Sequence, residues 1–483
     1  MDNNLYDVVI IGGGVIGTSI ARFLTRYVAK IAVIEKNNDV GEETTSANSA
    51  IVHSGYDPKP GTRKAYFNVL GNKMFDKVSS ELDFEFKRIG SLTIAFNEED
   101  VITLENLKKR ADENNVETRI IEKDELKKLE PNISDLAIKA LYAPSAGIVS
   151  PFNMSINLME NAMDNGAKLF LNNKVIKINK KHNFYEVFTD TGLVFKGKTL
   201  INAAGVYSDN ICALLEKPEF SITPRKGEYY VLDHFDNNFI HHTLFMCPTK
   251  VGKGVLVSPT TSFNYIIGPS NDESSKDDKS TDKNTLNNVL ELGKKLVPSL
   301  NLVNNIRQFS GIRANPNTDD FIIEESKINP GFYNVAGIMS PGLASSLAIG
   351  EYVSDLVAKN MHLDKNLEYN PTIKKHYSIK KESFDEYAKI VKDNPLYGHF
   401  ICRCEKVSEG EIVDAIHRNC GATTIKGIKR RLRPGFGKCQ GTFCEEETLK
   451  ILARELKKDI SEIEYSGKGT NILVASYKGK KYE

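Results

Sequence analysis

The chain has 483 residues, and its 64 lysines and arginines against 63 aspartates and glutamates leave a formal net charge of +1. This length is too great for one hydrophobic core and predicts two or three domains, while the balanced charge gives no reason to expect a nucleic-acid partner. No apolar run approaches the length of a membrane span and the first strand begins too early for a signal peptide, so we expect a cytoplasmic protein.

A glycine-rich turn follows the first predicted strand. Residues 8–11, preceded by Tyr6, form an apolar run typical of a buried parallel strand, and Gly12, Gly14 and Gly17 then match G-x-G-x-x-G at the start of a predicted helix. The first glycine permits the turn, the second lets backbone approach a pyrophosphate, and the third lets the helix pack closely on the strand. Glu35 ends the next apolar strand, 18 positions after Gly17 (35 minus 17). An acid at this position can accept a hydrogen bond from a ribose hydroxyl. The pattern predicts a bound dinucleotide and leaves NAD and FAD both open.

A polar segment of small residues follows, from position 41 to 55. It has too little apolar periodicity for a helix, and its small side chains let backbone run close to a flat ligand. Its notable residues are Thr44, Thr45, Ser46, Asn48, Ser49 and the run His53-Ser54-Gly55. They resemble the segment that passes under the flavin in the glycine oxidase and D-amino-acid oxidase superfamily. The likeness is greatest to its glycerol-3-phosphate oxidase and dehydrogenase branch, with L-2-hydroxyglutarate oxidases as near relatives. The resemblance implies that the dinucleotide is FAD.

The middle of the chain alternates between helical and strand patterns. An amphipathic helix is predicted over 64–82, a strand over 89–96 and a charged helix over 101–114. Residues 199–209 read as a buried strand that runs into a glycine turn and a helix, which resembles the second flavin-domain motif of such oxidoreductases. Short apolar runs at hairpin spacing then predict a mostly β region over 216–325.

The two glycine motifs and the resemblance together imply the FAD contacts. In the family, the backbone at Val175 contacts the adenine, and a helix that begins near Gly342 directs its positive N-terminal end at the flavin. At Ala344 the relatives commonly carry Thr, so a flavin contact there would involve backbone only. The expected FAD-binding residues are Gly12, Gly14, Gly17, Glu35, Thr44, Thr45, Ser49, Ala50, Ile51, Val175, Ala204, Gly205, Gly337, Ile338, Met339, Gly342 and Ala344.

A substrate anion site is expected around Arg313. A surface ion pair is the usual role of an arginine, but a guanidinium also binds carboxylate or phosphate through two parallel hydrogen bonds. The resemblance places the family's anion-binding arginine at Arg313, a second anion contact at Lys253, and substrate contacts at Ser49 and Ser340. A lone histidine is more often packed than catalytic, but His53 lies in the flavin segment, and imidazole suits a general base near neutral pH.

Four cysteines near the C-terminus form a separate motif. Cys402 and Cys404 make C-x-C, and Cys439 and Cys444 make C-x4-C. Four thiolates suit either tetrahedral zinc or a four-cysteine iron–sulfur cluster, and the spacing leaves both open. With the run over 434–438, the motif resembles the bacterioferritin-associated ferredoxin type of [2Fe-2S] domain, which favours iron–sulfur over zinc. The remaining cysteines, Cys212, Cys247 and Cys420, are expected to be packed thiols.

The sequence thus predicts an α/β protein with a Rossmann-like FAD-binding domain, an inserted and mostly antiparallel β substrate domain, and a small helical iron–sulfur domain. The expected bounds are about 1–85, 146–215 and 326–365 for the FAD-binding domain, about 86–145 and 216–325 for the substrate domain, 366–395 for a linker, 396–460 for the [2Fe-2S] domain and 461–483 for a tail.

The expected activity is oxidation of sn-glycerol 3-phosphate to dihydroxyacetone phosphate by hydride transfer to the flavin. Electrons would leave through the cluster to a partner subunit or electron carrier. The alternatives within the superfamily are an L-2-hydroxy acid, such as 2-hydroxyglutarate, and an amino acid or opine. An alternative of another class is an electron-transfer subunit of a flavoprotein complex, which would need neither His53 nor Arg313.

Overall fold

The computed structural model describes residues 5–236, 239–248 and 254–473. Its strands, in chain order, are β1 (Leu5–Ile11), β2 (Ile31–Ile34), β3 (Ile51–Val52), β4 (Phe86–Arg88), β5 (Ser91–Ala95), β6 (Arg119–Glu122), β7 (Lys139–Ala143), β8 (Gly147–Val149), β9 (Lys168–Phe170), β10 (Val175–Lys180), β11 (Tyr185–Thr189), β12 (Val194–Asn202), β13 (Ile222–Leu232), β14 (Thr243–Met246), β15 (Leu256–Pro259), β16 (Tyr265–Gly268), β17 (Asp272–Glu273), β18 (Asn305–Pro316), β19 (Ile322–Glu325), β20 (Phe332–Ala336), β21 (Phe400–Cys402) and β22 (Val407–Ser408).

The α-helices of the same residues are α1 (Val15–Leu24), α2 (Arg63–Leu82), α3 (Glu98–Glu113), α4 (Lys123–Leu129), α5 (Pro151–Asp164), α6 (Ser208–Ala213), α7 (Lys283–Leu296), α8 (Gly342–Met361), α9 (Phe384–Asp393), α10 (Glu409–His417), α11 (Ile425–Leu432) and α12 (Glu445–Leu456).

The first sheet carries the glycine turn. Five of its eight strands run parallel in the order β20-β12-β1-β2-β9, while β10, β11 and β19 pair antiparallel to their neighbours. The strand β1 therefore lies between β12 and β2, and its carboxyl end leads directly into α1. In open parallel sheets, ligands bind beside the carboxyl ends of the strands.

The two faces of this sheet bury separate apolar clusters. Val8 and Ile10 pack in one cluster with residues of α1, α5 and α8. Val9 and Ile11 pack in the other with residues of β10, β11 and β12. Burial on both faces explains why residues 8–11 form a continuous apolar run rather than an alternating one.

The second sheet has nine strands and forms the substrate-side layer. Its order is β17-β13-β16-β15-β14-β5-β7-β6, with β18 on the free side of β13, and every pair is antiparallel except β14 with β5. The helix α7 covers this sheet, with Leu286, Val289 and Leu296 in the shared core. The expected inserted β layer is confirmed.

The C-terminal region is a small helical unit that packs on the flavin-binding part. Its core joins α10, α11 and α12 through Ile412, Ile428 and Leu452. Buried ion pairs tie it to the rest of the chain, from Arg418 to Glu160 (2.5 Å), from Arg431 to Asp39 (2.6 Å) and from Arg430 to Glu42. The predicted helical C-terminal region is therefore confirmed.

Two segments contain more structure than their sequence patterns predicted. The stretch expected to be a linker contains α9, which Ser383 and Glu386 begin with a capping box. Only Tyr387 of this helix is buried, and the charged residues of the segment favoured a linker. The polar insertion over 271–284, predicted as a loop, includes the two-residue strand β17, which pairs with β13.

Candidate active site

The glycine turn has the geometry that its pattern predicts. Gly12 has a φ of +112°, which residues with a side chain rarely adopt. A Cβ on Gly17 would lie 1.9 Å from the Gly12 carbonyl oxygen, so only glycine lets α1 start this close to β1. Gly14 has more room, since the nearest atom to its Cβ position is Thr45 Oγ1 at 3.4 Å. The turn therefore leaves space for a pyrophosphate at the N-terminus of α1.

Glu35 lies at the end of β2, beside this turn. Its carboxylate accepts hydrogen bonds from the backbone N–H of Gly13 (2.6 Å) and of Asn37 (2.9 Å). Burial raises the pKa of Glu35, and the two backbone donors oppose that rise. The carboxylate thus lies next to the phosphate-binding turn, as a ribose-binding acid requires.

A cavity of about 650 Å³ lies next to the glycine turn; we call it the flavin cavity. Its walls come from distant parts of the chain: the turn and the start of α1, the segment 44–53, the strands β13 and β18, and the segment 335–343. The start of α8 at Gly342 and Leu343 lies in the last of these walls. The N-terminal end of a helix favours negative charge on a bound group.

The segment 44–50 is held against the glycine turn by its own polar side chains. Thr45 Oγ1 accepts from the backbone N–H of Val15 (3.0 Å) at the start of α1. Asn48 Nδ2 donates to the carbonyls of Thr44 (3.1 Å) and Thr45 (2.8 Å), and its Oδ1 accepts from the N–H of Ala50 (2.7 Å). These bonds satisfy the backbone of a short, irregular segment, which can then form one wall of a flat ligand site.

His53 lines the flavin cavity at the end of this segment. Its ring stacks on Phe245, with the centroids 5.7 Å apart and the planes at 27°. Its carbonyl accepts from Asn68 Nδ2 (2.7 Å) and Asn72 Nδ2 (3.1 Å), both on α2. The helix α2 therefore fixes the backbone of His53, and the aromatic contact orients an imidazole at the cavity wall.

Two arginines lie directly opposite each other in the same cavity. Arg225 on β13 and Arg313 on β18 are cross-strand partners. Arg313 donates to Asn271 Oδ1 (3.0 Å) and to the Ser270 carbonyl (2.9 Å). Arg225 donates to Asn271 Oδ1 (3.0 Å) and to its carbonyl (2.8 Å). The loop that carries Asn271 thus positions both guanidiniums.

Two glycines keep the space next to Arg313 open. A Cβ on Gly227 would lie 2.4 Å from Arg313 Nη2, and a Cβ on Gly311 would lie 1.8 Å from the Ala47 carbonyl oxygen. The pair Gly227 and Gly311 is next to the arginine pair on the same face of the β13–β18 ladder. Without side chains at these positions, the Arg313 guanidinium fits against the sheet and the segment 44–50 can approach it.

The flavin cavity brings together many of the residues that the sequence singled out. Those that line it are Gly14, Thr44, Thr45, Ser49, Ile51, His53, Gly205, Arg313, Ile338, Met339, Ser340 and Gly342. Ser49 Oγ lies 3.1 Å from the Tyr229 hydroxyl. The expected contacts from one end of the sequence to the other therefore meet at one place.

Other expected contacts surround this cavity without lining it, within the part of the chain that the structure describes. They are Gly12, Gly17, Glu35, Ala50, Val175, Ala204, Gly337 and Ala344. Val175 is buried in β10, and the Ala344 carbonyl packs on α2, where a Cβ on Gly71 would lie 2.1 Å from it. Lys253 falls outside the described residues.

The sequence missed Arg225, Tyr229, Phe245 and Asn271. All four line the flavin cavity. No local motif marks them, because each reaches the site through the pairing of strands or the path of a loop. The one available signal was the alternation along β13, which places Arg225, Gly227 and Tyr229 on one face.

The four C-terminal cysteines lie close together as two pairs. Cys404 Sγ is 3.9 Å from Cys439 Sγ, near the spacing of about 3.8 Å expected for two thiolates on one tetrahedral metal with 2.3 Å bonds. Cys444 hydrogen-bonds to Cys402 and lowers the pKa of the Cys402 thiol. Within the described residues, no three or more His, Cys, Asp or Glu side chains converge on a single metal position. Two pairs of thiols fit a binuclear cluster that takes two cysteine ligands per iron.

The fold and the site together define a flavin-dependent oxidoreductase. The family of FAD dependent oxidoreductases named DAO matches residues 7–356, and the BFD-like [2Fe-2S] binding domain matches residues 400–454. The chain therefore belongs to the DAO family of FAD-dependent oxidoreductases and carries a BFD-like domain at its C-terminal end.

Named relatives cover most or all of the chain. The glycerol 3-phosphate dehydrogenase of Caloramator mitchellensis is 45% identical over 480 residues, which are 99% of this chain and 100% of that protein. The glycerol 3-phosphate oxidase of Mycoplasma genitalium is 37% identical over 375 residues, which are 76% of this chain and 97% of that protein. The structure of dithionite-reduced L-alpha-glycerophosphate oxidase from Mycoplasma pneumoniae with FAD bound matches with a TM-score of 0.74 and 33% identity. That match covers 77% of this chain and 99% of the other.

Among the helices of the described residues, none combines the length and the apolar character needed to cross a bilayer.

Proposed function

We propose that this protein oxidises the secondary alcohol of sn-glycerol 3-phosphate to the ketone of dihydroxyacetone phosphate, and passes the electrons through a [2Fe-2S] cluster to a one-electron acceptor. The observation that carries the proposal is the pair Arg225 and Arg313, which face one cavity that His53 also lines. The names of two relatives, which cover 99% and 76% of this chain, support the same substrate.

Two opposed guanidiniums suit a phosphate ester. A phosphate monoester carries a charge of about −1.5 to −2 near neutral pH and three acceptor oxygens, and each guanidinium offers a planar fork of donors. Arg313 takes part in no ion pair within the described residues, so its charge is available to a ligand. Arg225 has a carboxylate neighbour, Glu273, at 3.7 Å, and that acid is exposed.

The other polar groups of the cavity would place the hydroxyls of the substrate. Ser49, held near the Tyr229 hydroxyl, and Ser340 lie in the same cavity walls as His53. His53 would take the proton of the secondary hydroxyl, which loses a proton and a hydride as the ketone forms. The glycine turn, Glu35 and the segments 44–51 and 337–342 would hold FAD, which would supply a two-electron acceptor for that hydride.

The C-terminal cysteines give the electrons a route out. A flavin takes two electrons in one hydride, whereas an iron–sulfur cluster passes electrons singly. Cys402, Cys404, Cys439 and Cys444 would hold this cluster, and Cys404 is exposed. An acceptor that docks at the C-terminal unit would thus be reduced in one-electron steps.

An anaerobic spectrum with a substrate panel tests this proposal. Addition of sn-glycerol 3-phosphate to the purified protein should bleach the flavin absorbance and then the cluster absorbance. Glycerol lacks the phosphate and should leave both unchanged, while L-2-hydroxyglutarate tests whether a dicarboxylate is accepted instead. If L-2-hydroxyglutarate alone bleaches the flavin, that compound is the substrate and glycerol 3-phosphate is not. If no member of the panel bleaches it, the result favours an electron-transfer subunit.

A further inference from the structure

A second cavity, of about 380 Å³, lies between the flavin-binding part and the C-terminal unit; we call it the interdomain cavity. The segment 44–48 forms part of its wall and also part of the wall of the flavin cavity. The opposite wall comes from α11 and from Phe436, three residues before the ligand Cys439. The interdomain cavity thus lies between the two expected redox centres.

One face of the β13–β18 ladder joins the two cavities. Along it, the cross-strand pairs are Arg225 with Arg313, Gly227 with Gly311, Tyr229 with Phe309, and Val231 with Arg307. The arginine pair lies in the flavin cavity, and Arg307 lies in the interdomain cavity. Tyr229 and Phe309 stack at 4.6 Å with an angle of 8° between their planes.

The interdomain cavity has an excess of positive charge. Its two acids are already paired, because Arg430 makes a bidentate contact with Glu42 and Lys279 lies 2.9 Å from Glu43. Arg433 also lines the cavity and pairs with Glu405. The three remaining cations are Arg307, Lys426 and Lys429. Within the described residues their side chains make no ion pair and no hydrogen bond, so three charges face one enclosed space without a carboxylate partner.

Lys429 is the most informative of these cations. It is 6% exposed, and its ammonium lies 4.9 Å from the centroid of the Phe436 ring. Burial, together with the charge of Arg307, lowers the pKa of Lys429 to about 8. The charge of Glu445 opposes this shift but forms no ion pair with Lys429. A buried charge without a close partner is costly, and an anion in the cavity would supply one.

The walls also carry flat apolar surfaces. Phe152, Phe309, Phe436 and Tyr465 line the interdomain cavity, and Phe152 lies 6.3 Å from Phe436 between ring centroids. The cavity has the size of a small-molecule site, for which about 300–1,000 Å³ is typical. Aromatic rings beside unpaired cations match a ligand that has both a planar group and a phosphate.

We propose that the interdomain cavity binds a second ligand, a small phosphate-bearing molecule with a planar aromatic group. The FAD does not occupy it, since the glycine turn that takes the pyrophosphate lines the flavin cavity, on the other side of the segment 44–48. The ligand would contact β18 on one side and α11 on the other, so it would bridge the flavin-binding part and the C-terminal unit. This proposal does not depend on which substrate is oxidised in the flavin cavity.

Titration calorimetry on the full-length, FAD-saturated protein tests it, with adenosine monophosphate as the probe and adenosine as its uncharged match. Adenosine monophosphate should bind at one site per chain with a Kd below about 1 mM, and adenosine at least about tenfold more weakly. Inorganic phosphate should compete. Absence of heat with adenosine monophosphate up to about 10 mM would overturn the proposal, as would equal binding of adenosine.

Two single variants locate the probe. Arg307→Gln alters the wall from β18, and Lys426→Gln alters the wall from α11. Each variant should weaken the binding of adenosine monophosphate about tenfold. The control variant Lys458→Gln changes an exposed lysine of the C-terminal unit and should leave the affinity unchanged. If only one of the two variants weakens the probe, the site belongs to one unit and the bridging ligand is wrong.

The variant Lys429→Gln distinguishes two possible roles of this lysine. Its charge either contacts the ligand or balances the charge of the cluster. The proposal expects weaker adenosine monophosphate binding with an unchanged cluster spectrum and an unchanged extent of flavin bleaching by substrate. A shifted cluster spectrum with unchanged probe binding would assign Lys429 to the cluster and overturn its part in the ligand site.

Discussion

The flavin cavity and the cysteine site are assembled over very different lengths of chain. The flavin cavity draws its walls from residues between Gly14 and Leu343, which meet only when both large sheets have formed. The cysteine site draws its four thiols from one continuous stretch, from Cys402 to Cys444, around a core of its own. The difference predicts that damage to one site should leave the other intact, except where the two units touch.

The largest expected effect comes from Gly17→Ala. The new Cβ would lie 1.9 Å from the Gly12 carbonyl oxygen, so α1 must move away from β1, at a cost of at least about 1–3 kcal/mol. We expect loss of FAD with retention of iron, measured as flavin and iron content of the purified protein. Gly467→Ala, where a Cβ meets nothing within 4 Å, is the matched control. Loss of iron together with FAD would show that the two sites do not form independently.

His53→Asn should separate the two sites by function. With FAD and cluster both bound, the rate of flavin reduction by substrate should fall by roughly 10²–10⁴, as for a lost general base; stopped-flow absorbance measures it. Cys439→Ser is the reciprocal variant: flavin reduction should proceed, while turnover with a one-electron acceptor should cease. A normal reduction rate in His53→Asn would remove this imidazole from the mechanism.

Arg225→Gln tests the residue that only the structure revealed. A lost hydrogen bond to a charged group costs about 1.5–3 kcal/mol, so kcat/KM for glycerol 3-phosphate should fall roughly 10- to 150-fold. Arg313→Gln should have a similar effect, because the two guanidiniums face each other across the ladder. Arg119→Gln, on β6 at the far edge of the same sheet, should leave kcat/KM unchanged. If Arg225→Gln behaves like Arg119→Gln, the anion site has one arginine rather than two.

The smallest expected effect is a change in the pH dependence of stability, caused by Glu43. This residue lines the interdomain cavity next to the segment 44–48. Burial alone would raise the pKa of Glu43, but Lys36 and Lys279 outweigh burial and hold that pKa at about 2, below its ordinary 4.5. The folded pKa is lowered, so this group stabilises the fold above pH 4.5, and its contribution is lost as the pH falls toward 2. Urea unfolding between about pH 6 and pH 3 should therefore show a shallower loss of stability in Glu43→Gln than in the wild type. The exposed Glu117→Gln should follow the wild type.

Local sequence was sufficient to predict a feature wherever one short stretch of chain forms it. The glycine turn could be predicted because steric contact between Gly12 and Gly17 leaves no room for a Cβ. The BFD-like domain could be predicted because its four cysteines, in two closely spaced pairs, lie within one short stretch. The parallel strands could be predicted because burial on both faces makes their apolar runs continuous.

The helix within the expected linker and the residues of the substrate site were harder to predict from the sequence, for different reasons. The helix α9 buries only Tyr387 and lies in a charged segment. Its signals were the capping box and the helical spacing of its apolar residues, Phe384, Tyr387, Ile390 and Val391. Arg225 lies in a strand with no motif, and its role depends on pairing with a residue 88 positions away (313 minus 225).

The sequence by itself predicted a dinucleotide turn and a four-cysteine site, because glycine sterics and ligand spacing act over a few residues. The resemblance to a known family then favoured FAD and a [2Fe-2S] cluster. Only the tertiary structure decided which side chains share a space. Strand register places Arg225 opposite Arg313, the segment 44–48 becomes a wall of two cavities, and docking of α11 brings Lys426 and Lys429 beside Arg307. These contacts join residues far apart in sequence, so no local pattern contains them.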